Sequence, residues 1–222
     1  MIRRDYLVRM VQELAQALAR ILFLKKTQDY PTALQEIERV LAKFWSLTGD
    51  QIKSFSVEEW IALCRQEAGA MGDKLIALAD LLREQALLYA AEGKASEGQP
   101  SAATALGLYL EAVATPETVI SIDLLDKIEG LISITHGLRM PAVVLKRLLG
   151  YFEARGKFDK AEDVLFEWLD SGDPKAPAGG LAFYGRLTAK SDRELDQCGL
   201  PRDEVEQGRA EFLKRSRTGL EP

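Results

Sequence analysis

Apolar residues recur along this chain at steps of three and four, the spacing of a helix that buries one stripe. In the opening segment Leu7, Val11, Leu14, Leu18 and Ile21 keep that step, and Met10, Leu22 and Leu24 widen the stripe. The pattern predicts a helix packed on its own domain, with a homodimer through the same seam as the alternative. The stretch TQDY interrupts it. Pro31, whose missing N–H has no partner in a first helical turn anyway, then opens a helix with the face Ala33, Ile37, Val40, Leu41 and Phe44. A loop is expected over SLTGDQIKSF, and Ser56 with Glu59 three residues later has capping-box spacing. After AGAMGD a long helix is expected from about Lys74 to Glu92, carrying Leu75, Leu78, Leu82, Ala86 and Tyr89.

The stretch GKASEGQPSA, rich in glycine, serine and proline, reads as a loop before the helical ATALGLYLEAV. Thr115 and Pro116 read as a cap and first residue of a helix that ends at Gly137, and Pro141 begins the next. A glycine-turned hairpin follows, closed by SGDPKAPAGG, where a boundary is placed and Gly179 and Gly180 read as a hinge. Beyond it lie LAFYGRLTAKS, a short SDRELDQCG with a second capping-box spacing, and RDEVEQGRAEFLKRSR. The last puts acids in its first turn and bases in its last, matching the helix dipole. No stretch alternates as a strand requires, so the expected class is all-α.

The hairpin before the boundary is the most orderly part of the chain. Leu145, Leu148, Leu149 and Phe152 form one apolar side, Gly156 turns the chain and Phe158 closes the turn. Ala161 is the small residue at the crossing, and Leu165 and Trp168 continue the second helix. This arrangement resembles a tetratricopeptide repeat, whose pattern runs W-x2-L-G-x2-Y, A-x3-F, P. Ala161 and Leu165 match its A-x3 step, while Leu145, Leu149 and the late Pro174 depart from it. A second copy is read in Leu82, Ala86, Tyr89 and Gly93 with Ala105, Tyr109 and Ala112. It needs an inserted ASEGQPS loop, because Tyr89 to Ala105 spans 16 positions where Phe152 to Ala161 spans 9. A third copy is Leu24, Tyr30, Ala33 and Ile37, with Arg20 where an apolar residue belongs.

As a whole the chain resembles uncharacterised bacterial proteins built on such arrays, a likeness that brings no activity with it. The resemblance implies a right-handed stack of antiparallel hairpins over residues 1–172, with a C-terminal helical appendage packed on it over 173–222. It also implies a peptide-binding groove on the first helix of each pair, lined by Arg83 and Leu87 in one copy and by Lys146, Arg147, Gly150 and Glu153 in another. Lys146 and Arg147 would meet an acidic peptide or a terminal carboxylate. The lysine–asparagine pairs that some members use as a carboxylate clamp are absent.

Composition narrows the function classes. The chain has 222 residues, 47% hydrophobic and 28% charged, enough for a sizeable core. A net charge of -5 and a pI near 5.2 lack the basic footprint of a nucleic-acid binder. Cys64 and Cys198 stand far apart, as free thiols of a reducing, cytoplasmic compartment would. Asp5, Arg9, Glu13 and Arg20 break up the N-terminal apolar positions, so neither a signal peptide nor membrane insertion is expected.

His136, the only histidine, sits before Gly137 at a helix end, where an imidazole favours the dipole and no zinc ligand set accompanies it. Asp123, Asp126 and Glu129, and likewise Glu162, Asp163 and Glu167, read as solvated helix faces rather than acid–base pairs. Phosphate loops and nucleophile elbows are absent from the sequence. Trp45, Trp60 and Trp168 are expected at core edges, where an indole N–H finds a partner, with the lining of a ligand groove as the alternative. The expected function is a non-enzymatic module for an unidentified protein or peptide, using no cofactor or metal. The alternative is a small-molecule-binding or regulatory protein with a pocket between array and appendage.

Overall fold

A computed structural model describes residues 2–45, 55–65, 71–116 and 118–218, with backbone alone for 2–11 and 218. The SLTGDQIKSF loop, save its last residue, and the side chains of Leu7, Met10 and Val11 lie outside the described residues. Among those described there are eleven helices and no strand, so the protein is all-α. None of these helices is long and apolar enough to cross a membrane.

The chain packs as two compact units, Met1–Arg139 and Met140–Pro222, so the hairpin read from sequence and the segment after residue 173 share the second unit. The first unit holds α1 (Ile2–Lys26), α2 (Tyr30–Trp45), α3 (Val57–Arg65), α4 (Met71–Ala91), α5 (Ala95–Ala114) and α6 (Ile122–Thr135). Its centre is the α4–α5 hairpin, on which α2, α3 and α6 pack, with α1 against α2 and α4. Leu75, Leu78, Leu81 and Leu88 from α4 and Leu106, Leu108 and Tyr109 from α5 are wholly buried. The second unit holds α7 (Ala142–Ala154), α8 (Phe158–Asp170), α9 (Ala176–Thr188), α10 (Asp192–Gln197) and α11 (Arg202–Thr218). Here α7 and α8 form a hairpin, α9 and α11 pack on α8 and on each other, and α10 packs on α11.

Three hairpins close with one turn geometry. Each first helix ends on a residue in the left-handed region: Gln28 (φ 61°), Gly93 (φ 80°) and Gly156 (φ 67°). The next N–H reaches back five residues: Asp29 to Leu24 O (2.9 Å), Lys94 to Tyr89 O (2.8 Å) and Lys157 to Phe152 O (2.9 Å). The left-handed residue itself donates three residues back, to Lys25, Ala90 and Glu153, at 3.1 Å each time. This is the Schellman arrangement, which satisfies carbonyls that a helix end leaves open. Glycine takes the conformation without steric penalty at two of the three turns.

The shared turn corrects the repeat register read from sequence. GKASEGQPSA is not a loop, because α5 starts at Ala95 and carries Pro100 inside it. Leu24 to Ala33, Tyr89 to Gly98 and Phe152 to Ala161 each span nine positions, so the second hairpin has no insertion. Gly98, not Ala105, matches Ala161 at the crossing, although both alanines are fully buried. The physical reason is close approach. A Cβ on Gly98 would lie 2.9 Å from the Ala86 carbonyl oxygen and 3.0 Å from the Ala86 Cα. An interior proline and glycine disfavour a helix by roughly 3 and 1 kcal/mol. Burying Leu106, Leu108, Tyr109 and Leu110, at about 1.5–3 kcal/mol for each side chain, outweighs both.

Two further expectations are corrected. Thr115 caps the end of α5, and α6 starts only at Ile122, where the Ser121 hydroxyl accepts from the Leu124 N–H at 3.1 Å. Val119 and Ile122 between them stand largely in solvent. Gly179 and Gly180 form no hinge. They lie within α9, where Gly179 meets the Trp168 ring and Gly180 the Phe212 ring too closely for any side chain. Both capping boxes form, at Ser56–Glu59 and at Ser191–Glu194.

Gly98→Ala is expected to destabilise the first unit by about 1–3 kcal/mol, because the neighbouring atoms are backbone. Gly130→Ala, at an exposed position of α6 with nothing within 4 Å, is expected to stabilise by about 0.5–1 kcal/mol. Urea unfolding of the two variants checks the opposite signs.

Candidate functional site

A cavity of about 320 Å³ opens in the first unit, where α2, α3, α4 and α5 meet. Two helical stripes build its sides. Leu82, Gln85 and Tyr89 recur at steps of three and four on α4, and Glu97, Pro100, Ser101 and Thr104 do so on α5. Phe55 and Trp60 add a third wall, their rings edge to face with centroids 5.3 Å apart. Glu38 joins from the exposed face of α2.

Its polar groups differ from those of the rest of the fold. The Ser101 hydroxyl donates to Gln85 Oε1 at 2.7 Å, which orients the amide and turns its Nε2 away from Ser101. Gln85 is 7% exposed, yet its Nε2 has no hydrogen-bond partner among the described residues. The Trp60 indole N–H, on a residue 1% exposed, has none either. Neither donor is sealed in protein, and both residues line the cavity. Glu38 and Glu97 are exposed and have no ion-pair partner among the described residues. Histidine, cysteine, lysine and arginine are absent from the lining among the described residues.

Elsewhere most buried polar groups find partners, the sealed Thr118 hydroxyl being the exception among the described residues. Tyr109, fully buried on α5, donates to Asp80, and Lys127 bridges Asp80 (2.8 Å) and Asp123 (2.9 Å). Burial alone would lower the Lys127 pKa, but the hydrogen bonds to Asp80 and Asp123 outweigh it and raise it. Asp123 is thereby an ion-pair member rather than part of an acidic site with Asp126 and Glu129. Trp168 donates to Asp173 Oδ2 at 3.0 Å, as a core-edge indole should. His136 caps the end of α6. No group of three His, Cys, Asp or Glu among the described residues is placed to hold a metal.

The groove residues implied by the resemblance fall in both units. Arg83 and Leu87 are half-buried on α4, where Arg83 pairs with Glu84 at 2.6 Å, itself bound to Lys25 at 2.8 Å. Lys146, Arg147 and Glu153 lie on α7. Lys146 is exposed, Arg147 donates to the Val143 carbonyl at 3.1 Å, and Glu153 accepts Arg186 in a two-pronged pair. A second cavity of about 410 Å³, between α1 and α2, is lined by Arg20 and by two ion pairs. There Glu36 holds Arg39 through two bonds and Glu13 holds Lys43.

Sequence reasoning named Trp60, Leu82 and Tyr89 as packing residues and missed Glu38, Phe55, Gln85, Glu97, Pro100, Ser101 and Thr104. The available signal was the step of the last four, which matches that of a helix face. It was hidden once glycine and proline marked the segment as a loop.

In the second unit, Glu162 accepts from the Tyr184 hydroxyl at 2.6 Å and lies against Gly208 of α11. Burial holds its pKa above the usual carboxylate value; the Tyr184 bond opposes this, and the charges of Asp163 and Glu204 add to it. A raised folded-state pKa contributes stability below pH 4.5 that is lost as pH rises through it. Glu162→Gln keeps an acceptor for Tyr184 and removes the charge. The variant should be more stable than the parent at pH 7, with the difference closing towards pH 4, as read by urea unfolding followed on Trp168.

Comparison with known proteins adds a family and no activity. The model of a family described only as being of unknown function matches residues 1–217. No curated protein and no solved structure matches the chain.

Proposed function

We propose, for a chain that belongs to the DUF6483 family of unknown function, a non-catalytic binding role centred on the cavity of the first unit. The observation that carries this reading is a cavity walled by aromatic rings, on whose lining the Ser101 hydroxyl fixes the orientation of the Gln85 amide. Aromatic and aliphatic walls with a few oriented polar groups are the usual make-up of a small-ligand site, and about 320 Å³ is at the small end of that range. The ligand is therefore a compact organic molecule, or a single side chain of a partner, with a flat apolar body and a carbonyl-like acceptor.

The protein-interaction expectation is retained in that second form, as capture of one partner group rather than of a peptide along a basic groove. Three hairpins closed by one turn geometry support the tetratricopeptide-like reading of their ancestry as part of the same proposal. Benzamide, a neutral aromatic acceptor, is expected to bind with a dissociation constant on the order of 1 mM in calorimetric titration. Thr104→Phe, which fills the cavity, should abolish the heat while Thr104→Val, of similar size, retains it. Equal heats in all three proteins would remove the cavity from consideration.

A further inference from the structure

The cavity carries a charge preference as well as a shape. Two full carboxylates, Glu38 and Glu97, stand on its lining, from opposite elements, and no lysine or arginine among the described residues lines it to neutralise them. Glu97 lies in the first turn of α5, whose dipole contributes about half a positive charge. Half a charge against two leaves the site negative. Beside these acceptors are the faces and edges of Phe55, Trp60 and Tyr89, and aromatic rings attract cations through the negative charge on their faces.

From this we propose that the ligand is an organic ammonium: an aromatic or aliphatic body bearing one cationic nitrogen and, close to it, a carbonyl oxygen. The carbonyl meets the Gln85 amide, the body lies between Phe55, Trp60 and Tyr89, and the ammonium faces Glu38 and Glu97. This inference rests on the binding role proposed above and adds the sign of the charge. A cavity with the same walls and donors but without the two acids would take a neutral amide equally well. An anion is disfavoured in every arrangement of the lining.

The test is a set of three probes with one aromatic body and three charges: phenylalaninamide (+1), N-acetylphenylalaninamide (neutral) and N-acetylphenylalanine (−1). Titrated at pH 7 in 50 mM salt, phenylalaninamide should bind about five- to tenfold more tightly than the neutral probe, with the anion weakest. Raising salt to 0.5 M should shrink the first ratio, because both carboxylates are exposed and screened. In the Glu38→Gln/Glu97→Gln double variant, whose changes are at exposed positions, the ratio should fall to about one. A thermal melt that matches the parent's establishes that this variant is folded.

A short peptide with a free N-terminal phenylalanine, run beside its N-acetylated form, separates the two sources of the same chemistry. Tighter binding than phenylalaninamide assigns the ammonium to a polypeptide end; weaker binding assigns it to a free small molecule. Equal affinity for all three charge states, or a preference that survives in the double variant, overturns the charge assignment and leaves the binding role standing. Binding of none of the probes, with benzamide also silent, overturns both.

Discussion

At Gly98 the backbone of α5 comes against the backbone of α4 with no room for a side chain between them. Everything in the first unit is arranged about that crossing. It requires a tight turn at Gly93, so the two helices leave that turn already in contact. It also places Pro100, Ser101 and Thr104 of one helix across from Leu82, Gln85 and Tyr89 of the other. The cavity lies beside this crossing, and α2 and α3 contribute to its remaining walls.

Buried polar groups throughout the fold obey a simple requirement: away from water, a donor or acceptor must be bonded or it is costly. Trp168 with Asp173, Tyr184 with Glu162, and Tyr109 with Asp80 and Lys127 meet it inside the chain. Each of these looks like a site when isolated on the sequence, and each proves to be packing with its partner supplied. Among the described residues the sealed Thr118 hydroxyl does not meet it, while the Gln85 amide nitrogen and the Trp60 indole nitrogen, on residues of the cavity lining, are not sealed and have no protein partner. A functional reading therefore settles where internal satisfaction stops, not where acidic or aromatic residues are most numerous.

Charge tells a similar story on a longer scale. Of the residues implied for a peptide groove, Arg83 spends its charge on Glu84, Glu153 is taken up by Arg186, and Arg147 bonds to a carbonyl of its own helix. Both acids of the cavity in the first unit have no such neighbour among the described residues, and they stand beside aromatic rings.

What the sequence determined by itself is whatever depends on residues within a turn or two of one another. The helical class, the capping boxes at Ser56 and Ser191, and the turn at Gly156 are all of this kind, because their energies come from local hydrogen bonds and from the 3.6-residue step of apolar side chains. Only the tertiary structure decided where α5 begins, that Gly98 rather than Ala105 stands at the second crossing, and that Gly179 and Gly180 are contact points instead of a hinge. In those places local preference argues against helix by a few kcal/mol, and burial against a distant segment overrides it. The cavity belongs to the same group. Its walls come from four helices separated along the chain, and no local pattern records which of their side chains will be left facing empty space.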